Sequence, residues 1–580
     1  MFQFKWVWAN LKKRHLFVIG MILSAVTCCL IIVNPMLSQR LIDEVITPQS
    51  TERLLPLLGL MLAVQATRLT LRYLMVMCLE TSSQTMLDAV RRHLYEVIQN
   101  GDHRFFARLR TGDLMTRMTN DLDMIRHSVA WVSYNIVDSV VLFAVTIIYF
   151  STVDGLMTLC LAAITPVILL VSHLFSRIIR PKYITLREKL SRMSTAAQEN
   201  IDGNRVVKAF AQEEQEKRKF NERNEDYRNT NLVAVRVGVK FQPVIEALSQ
   251  SLTITALLVG GLFMIEGRIT AGEMLAFSSL TWALAMPLKN LGMLINDIQR
   301  FFASCNMVIE LFYAQPHSLD LRKSAPVSGR LRGEVEYKNV SLKLDGEELL
   351  KDISFHIEPG KTLGIMGTTG SGKTTLINML LRFFDPTQGQ VLLDGHTLKH
   401  LTLTDLRTSI GLAMQDVFLF SDTVAANIAY GNADLSDEEI IQCAKAAGAH
   451  DFIMKMSDGY DTLVGERGVG LSGGQKQRIS LARALAMQPS VLILDDTTSA
   501  LDMETEQYIQ KELRKLPFEC TKIIIAQRIS SVKHAEEIIV LDGGRIAERG
   551  THDELLAKRG FYYRIWSLQN GTKEADEIGA

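Results

Sequence analysis

The chain has 580 residues, 47% of them apolar and 22% charged, and its 63 basic side chains are balanced by 63 acidic ones. That length exceeds what one hydrophobic core holds, so at least two domains are expected. A formal net charge of zero leaves no bulk basic field of the kind that draws a protein to nucleic acid, and no nucleic-acid partner is expected. The apolar residues are concentrated upstream of Leu311, and the remainder reads as a soluble α/β domain. The cysteines (Cys28, Cys29, Cys78, Cys160, Cys305, Cys443, Cys520) show no C-x-x-C spacing, which suits packed, reduced thiols rather than a metal site or a disulfide framework.

The opening Met1–His15 mixes Phe2, Phe4, Trp6 and Trp8 with Lys5, Lys12, Lys13 and Arg14, a composition for a short helix in the cytoplasmic interface. No cleavable signal peptide is expected ahead of the first apolar run. Six segments then have the length and apolarity of membrane spans: Leu16–Leu37, Pro56–Met77, Val132–Val153, Leu156–Leu174, Glu246–Ile265 and Ala271–Leu291. Three connections, Thr47–Leu54, Thr152–Gly155 and Glu266–Thr270, are short and nearly neutral. Thr81–Ala130 and Ser176–Lys240 are long and rich in Arg and Lys, which places them and both termini in the cytoplasm. Their helical periodicity and i,i+4 charge pairs predict membrane helices that continue well past the bilayer. Each is interrupted by a glycine, Gly112 within 110–121 and Gly203 within 198–210, where short transverse helices could dock a second domain. Arg68, Arg72, Asp138 and Glu246 are the polar exceptions in or beside the spans. Each suits either a water-filled cavity or a pairing with another helix.

Beyond a linker rich in Pro and Ser comes the run Gly367, Thr368, Thr369, Gly370, Ser371, Gly372, Lys373, Thr374, which matches G-x-x-x-x-G-K-[ST]. It follows the apolar Thr362–Met366 and precedes the helical pattern Thr375–Leu381, the strand–loop–helix context the motif requires. Glycines let the backbone close around phosphate oxygens, Lys373 reaches the terminal phosphates, and the Thr374 hydroxyl suits Mg²⁺. Val491–Asp495 is an apolar strand ending in an acid that can hold the same Mg²⁺, and Gln415 follows the apolar Ile410–Met414. Leu471, Ser472, Gly473, Gly474 and Gln475 open a further helix, a second anion-binding terminus suited to a nucleotide held by another subunit.

Leu471–Gln475, taken with the phosphate loop and Asp495, resembles the signature of ATP-binding cassette (ABC) proteins. Together with the preceding spans, the whole of Met1–Gln569 resembles an exporter-type half-transporter. The resemblance implies an α-helical six-span membrane domain followed by an α/β P-loop nucleotide-binding domain. Its limits fall at a membrane domain over 1–312, a linker over 313–332, a nucleotide-binding domain over 333–568 and a tail over 569–580. It implies ATP and Mg²⁺ as cofactors, with ATP held by the phosphate loop through Thr375 and the metal by Thr374, Gln415 and Asp495. It also implies coupling helices near Gly112 and Gly203, a loop Thr462–Gly468 that senses them, and Ser499–Asp502 crossing a head-to-tail dimer interface. Three positions depart from the family. Asp496 stands where active members carry a catalytic glutamate, Gln527 stands at the switch histidine, and Leu344 stands at the aromatic that stacks on adenine. Tyr337 lies too early in register to replace that aromatic.

An Asp base one methylene short and an uncharged Gln imply a site that binds ATP and hydrolyses it slowly. The reading that follows is one subunit of a heterodimer, with the partner half-transporter supplying the catalytic Glu and the switch His. It would export hydrophobic or amphipathic compounds through a plasma membrane, among membrane lipids. Lipid or peptide export, and a regulatory or channel-like subunit, are the alternatives.

Overall fold

The computed structural model describes residues 2–49, 51–314, 325–327, 329–344, 346–465, 468–497 and 501–570, without the side chains at 103 and 107. Most of the expected linker (315–324 and 328), Glu466 and Arg467 of the sensing loop, Ser499 and Ala500, and the tail beyond 570 lie outside these residues. The chain forms two compact units, 1–316 and 317–580.

The first unit is helical. Its main helices are α1 (Arg14–Leu41), α2 (Leu54–Gln99), α3 (Ser133–Val153), α4 (Thr165–Asp202), α5 (Glu213–Ile265) and α6 (Ala271–Phe312). At 46 residues α2 is about 69 Å long and at 53 residues α5 is about 80 Å, against a hydrocarbon layer of about 30 Å. The long charged connections are therefore continuations of helices. At Gly203 the helix stops and a short helix, Asn204–Ala209, intervenes before α5; near Gly112 a short helix spans Thr111–Thr116.

Five helical segments among the described residues are long and apolar enough to cross a membrane: Arg14–Ile46, Leu54–Gln99, Thr111–Val153, Gly155–Asp202 and Glu213–Ile265. The sixth expected span, Ala271–Leu291, forms the first half of α6, where Glu273, Ser278, Ser279 and Thr281 dilute the apolar run below the other five. That segment is nonetheless well packed: Phe277, Leu280, Ala283 and Leu284 are buried against Phe150 of α3 and Leu252 of α5. Its start is fixed by a reciprocal cap between Thr270 and Glu273. Asp43 supports it, accepting from Thr270 Oγ1 at 2.7 Å and from the Gly272 amide at 3.0 Å.

The second unit contains two sheets. Strands β1 (Val335–Leu344), β2 (Glu347–Ile357), β4 (Gln388–Leu393) and β5 (His396–Thr397) form an antiparallel sheet in the order β2-β1-β4-β5. Strands β3 (Thr362–Gly367), β6 (Ile410–Ala413), β7 (Val491–Asp495), β8 (Thr521–Ile525), β9 (Glu537–Asp542) and β10 (Arg545–Gly550) form the other, ordered β10-β9-β3-β8-β7-β6. All of its neighbours are parallel except β10, which pairs antiparallel with β9. Continuous burial from Leu363 to Met366 and from Val491 to Leu494 is what strands covered on both faces require.

The unit's helices used below are α7 (Lys373–Leu380), α8 (Gly473–Ala486) and α9 (Met503–Leu513). One core, holding Val335, Tyr337, Ile365 and Ile523, roots α7; a second, holding Leu419, Ile428, Ala444 and Leu494, roots α8. In the second core Asn427 is wholly buried. Its carboxamide accepts from Phe420 N at 2.9 Å and donates to Phe420 O and Thr423 O at 3.0 Å each, while Arg483 donates to its Oδ1 at 2.8 Å. These bonds tie the segment that follows β6 to α8. Asn427→Ala leaves several buried groups unpaired, a cost of about 2–4 kcal/mol. The expected result is a fall in Tm of about 5–15 °C in a thermal-shift measurement; an unchanged Tm would contradict the bonding described.

Candidate functional site

The carboxyl ends of the parallel strands carry the candidate site, and strand register decides what lies there. Ile365 of β3 pairs with Ile525 of β8, and Asp495 of β7 pairs with the same Ile525. Ala413 of β6 pairs with Leu494. The phosphate loop, Gln415, Asp495, Asp496 and Gln527 therefore all follow strand ends along one edge, the usual ligand crevice of an open parallel sheet.

Between β3 and α7 the chain turns through Gly367 at φ 149° and Gly372 at φ 103°. A Cβ on Gly367 would lie 2.3 Å from Leu541 O, and one on Gly372 would lie 2.7 Å from Leu350 Cδ2, so neither position admits a larger residue. Thr368, Thr369, Gly370 and Thr374 are exposed, and Thr375 is half-buried. Helix α7 begins without a side-chain cap. Among the described residues the Ser371 hydroxyl is buried with no hydrogen-bond partner, and Lys373 Nζ donates to the loop's own carbonyls, Gly367 O at 2.9 Å and Thr368 O at 2.7 Å. Uncapped amides, an orphan hydroxyl and a lysine turned back onto its loop together fit a polyphosphate. Burial pushes the Lys373 ammonium down, and the charges of Asp495 and Asp496 oppose that.

Asp495 and Asp496 are adjacent acids in a partly desolvated place. Burial pushes both carboxyls above their usual range. Asp496 adds to the effect on Asp495, whereas Lys373 opposes it at Asp495, and Arg528 and Lys373 oppose it at Asp496. A divalent cation would hold such a pair ionised, so the donor set fits a metal. Asp496 sits in the left-handed region at φ 47°, which a short Asx side chain tolerates. Its amide donates to Ile525 O at 2.9 Å. Gln415 and Gln527 are exposed at the same edge.

The signature residues open α8, which is rooted in the second core, whereas the phosphate loop leads into α7, rooted in the first. Ser472 caps α8 reciprocally with Gln475: Ser472 N donates to Gln475 Oε1 at 2.9 Å and Gln475 N to Ser472 Oγ at 3.3 Å. Gly473 and Gly474 provide the two amides ahead of the capped one, and Leu471 packs against the second core. Asp502 caps α9, accepting from Thr505 N at 3.3 Å. Leu344 is half-buried at the end of β1 and packs on the first core. Tyr337 is fully buried, donates to Leu376 O at 2.9 Å and stacks on Phe355, so it belongs to the interior.

Of the polar groups in the spans, Asp138 accepts from Cys28 Sγ at 2.5 Å, and Glu246 pairs with Lys289 at 3.5 Å. Arg68 and Arg72 have no ion pair among the described residues. Cys28, Cys305 and Cys520 are buried, but Cys29 is exposed, so packing does not account for every thiol.

Two contacts at the site were invisible in the sequence. Arg528 Nη1 donates to Leu501 O at 3.4 Å, and Ser531 Oγ donates to the buried Glu506 at 2.5 Å, tying the loop after β8 to α9. Gln569, near the end of the helix Phe561–Asn570, bonds the backbone on both sides of Arg528. No motif marks such long-range partners; only the fold brings them together.

Residues 17–288 match the family model for the ABC transporter transmembrane region, and residues 350–499 match that for ABC transporter. A putative multidrug export ATP-binding/permease protein of Bacillus subtilis is 34% identical over 96% of this chain and 97% of its own length. An ATP-dependent lipid A-core flippase of Syntrophus aciditrophicus is 35% identical over 87% of this chain and 84% of its own. The solved structure of a bacterial Atm1-family ABC exporter with ATP bound superposes with a TM-score of 0.76 at 28% identity, covering 95% of this chain and 99% of the other.

Replacing Lys373 with Ala removes the only cation of the phosphate loop. Photolabelling of this chain by azido-ATP should fall at least about tenfold, the loss expected of a charge-assisted bond to phosphate; unchanged labelling would remove Lys373 from the site.

Proposed function

The chain belongs to the ABC transporter family, and from that premise we propose that it is the subunit of a heterodimeric exporter that contributes a degenerate ATP site. ATP hydrolysis coupled to transport is the work of the family, performed by a helical membrane domain joined to an ABC nucleotide-binding domain. Six spans, with α6 supplying the last, cross the plasma membrane with both termini cytoplasmic. Gly367 to Thr375 hold ATP, Leu344 lies under the base, and the helices near Gly112 and Gly203 transmit the state of the nucleotide to the spans. Thr374, Gln415 and Asp495 would hold Mg²⁺, which supplies charge neutralisation at the phosphates when bound.

The observation that carries the asymmetry is the backbone of Asp496. Its amide is bonded to Ile525 O at 2.9 Å and its carbonyl accepts from Gln477 Nε2 at 3.5 Å, so the main chain is held from both sides. A carboxylate one methylene shorter than glutamate cannot make up the distance by a shift of such a backbone. Misplacement of a base by about 1 Å costs about 100-fold. Gln527 offers a hydrogen bond to a γ-phosphate without the charge a histidine can carry. The signature residues Leu471, Ser472, Gly473, Gly474 and Gln475 are intact, with Gly473 and Gly474 amides preceding the capped one. They complete the partner's site, where a catalytic Glu and a switch His do the chemistry, and Asp502 lies at the crossing between the two.

Hydrophobic or amphipathic cargo fits the apolar, extended helices, and the multidrug name of the Bacillus relative supports it. Lipid translocation is the second reading, favoured by the flippase relative.

Two substitutions in the assembled transporter test the asymmetry. Asp496→Asn is expected to leave ATP turnover within about twofold of the parent, and Ser472→Arg to reduce it by more than about 100-fold by blocking the partner's site. Loss of turnover in Asp496→Asn would overturn the assignment.

A further inference from the structure

The loop that carries Gln527 is held at four successive positions, 526 to 529, by three different elements. Ala526, just ahead of it, donates its amide to Ile365 O of β3 at 3.3 Å. The Arg528 guanidinium reaches Leu501 O at 3.4 Å and lies 3.9 Å from Glu506, on the side of α9. On the other side, the single carboxamide of Gln569 makes two backbone bonds. Its Nε2 donates to Gln527 O at 2.8 Å, and its Oε1 accepts from Ile529 N at 3.0 Å. The helix Phe561–Asn570 that presents Gln569 is anchored: Tyr562 is wholly buried with Ile529, Val532 and Leu555, and Trp566 packs against the same cluster.

Ile529 opens the short helix Ile529–Val532, which has no side-chain cap from its own N-cap residue, so the bond from its amide to Gln569 acts as a cap supplied from elsewhere. Capping alone has no need of the second bond. The bond to Gln527 O fixes the peptide of a residue whose side chain is exposed at the nucleotide edge. Rotation of that peptide would carry the Gln527 carboxamide away from a γ-phosphate while leaving the α- and β-phosphates, held by the phosphate loop, undisturbed.

We propose that Gln569 is the positioning residue of the Gln527 loop, holding it so that the site discriminates a nucleoside triphosphate from a diphosphate. The proposal rests on the reading of Gln527 as the γ-phosphate contact of this chain's own ATP site. Gln569 itself touches no nucleotide.

The test uses the assembled transporter and photolabelling of this chain by azido-ATP, competed with ATP and with ADP. Gln569→Leu keeps the side chain's bulk and loses both bonds. It is expected to lower the preference for ATP over ADP about tenfold, the worth of a well-placed hydrogen bond, with competition by ADP unchanged. Gln527→Ala is expected to produce the same loss, and the double variant no further loss, because the two act in series. Gln569→Glu keeps the acceptor for Ile529 N and loses the donor to Gln527 O. It therefore retains the cap, and it should still lose ATP preference even if Gln569→Leu folds poorly. Equal weakening of ATP and ADP by Gln569→Leu and by Gln569→Glu would mean a merely structural residue and would overturn the proposal. So would a normal preference in both Gln569 variants while Gln527→Ala loses it. A normal preference in Gln527→Ala would instead remove the γ-phosphate contact on which the proposal stands.

Discussion

The register of the parallel sheet sets every distance that matters in the nucleotide half. Ile365, Ile525 and Asp495 stand side by side across β3, β8 and β7, and Ala413 stands opposite Leu494. A slip of one residue in any strand would reverse its buried and facing side chains and move its terminal polar group by about 3.3 Å. The strands resist such a slip because their buried side chains, continuous in β3 and β7 and alternating in β8, are packed in one alignment. Chemistry confined to the strand ends inherits that rigidity. The Asp496 main chain is bonded to Ile525 and Gln477, and the loop of Gln527, which no strand continues, has partners on α9 and in Gln569.

The membrane half follows a different constraint. Without water, backbone polar groups must be paired within the helix, which favours long uninterrupted helices, and several of the polar exceptions have a partner. Asp138 is bonded by Cys28, Glu246 by Lys289, and the start of α6 by Asp43. Where the charge density rises, beyond the apolar stretch of α2 and α5, the same helices simply continue on charged surfaces. Both kinds of surface share one backbone geometry, so the length of the rods is set by the sequence on either side of the membrane boundary.

Local patterns were readable and distant ones were not. The phosphate loop could be placed from Gly367, Gly372 and Lys373 because its glycines answer to backbone geometry within a few residues of themselves. The helical nature of the long connections was equally legible from period and charge pairing. The count of spans was less so: Ala271–Leu291 reads as a span by composition, yet Glu273, Ser278, Ser279 and Thr281 leave it less apolar than the five segments that qualify. Ser472 was legible as part of a helix start, but not the reciprocal cap with Gln475 that occupies one of its amides. Asn427, Glu506 and Gln569 gave no signal at all. Each is a single polar residue whose meaning comes from partners far away in sequence, and no periodicity or spacing encodes that.

On the proposed assignment this chain's own ATP site is the slow one and hydrolysis occurs on the partner. Vanadate trapping with azido-ATP in the assembled transporter, followed by separation of the two subunits, reads this directly because the trapped, hydrolysed nucleotide marks the site that turned over. The account predicts that the vanadate-dependent label resides on the partner subunit, while this chain is labelled only by unhydrolysed nucleotide without vanadate. Vanadate-dependent label on this chain, equal to or greater than that on the partner, would contradict it.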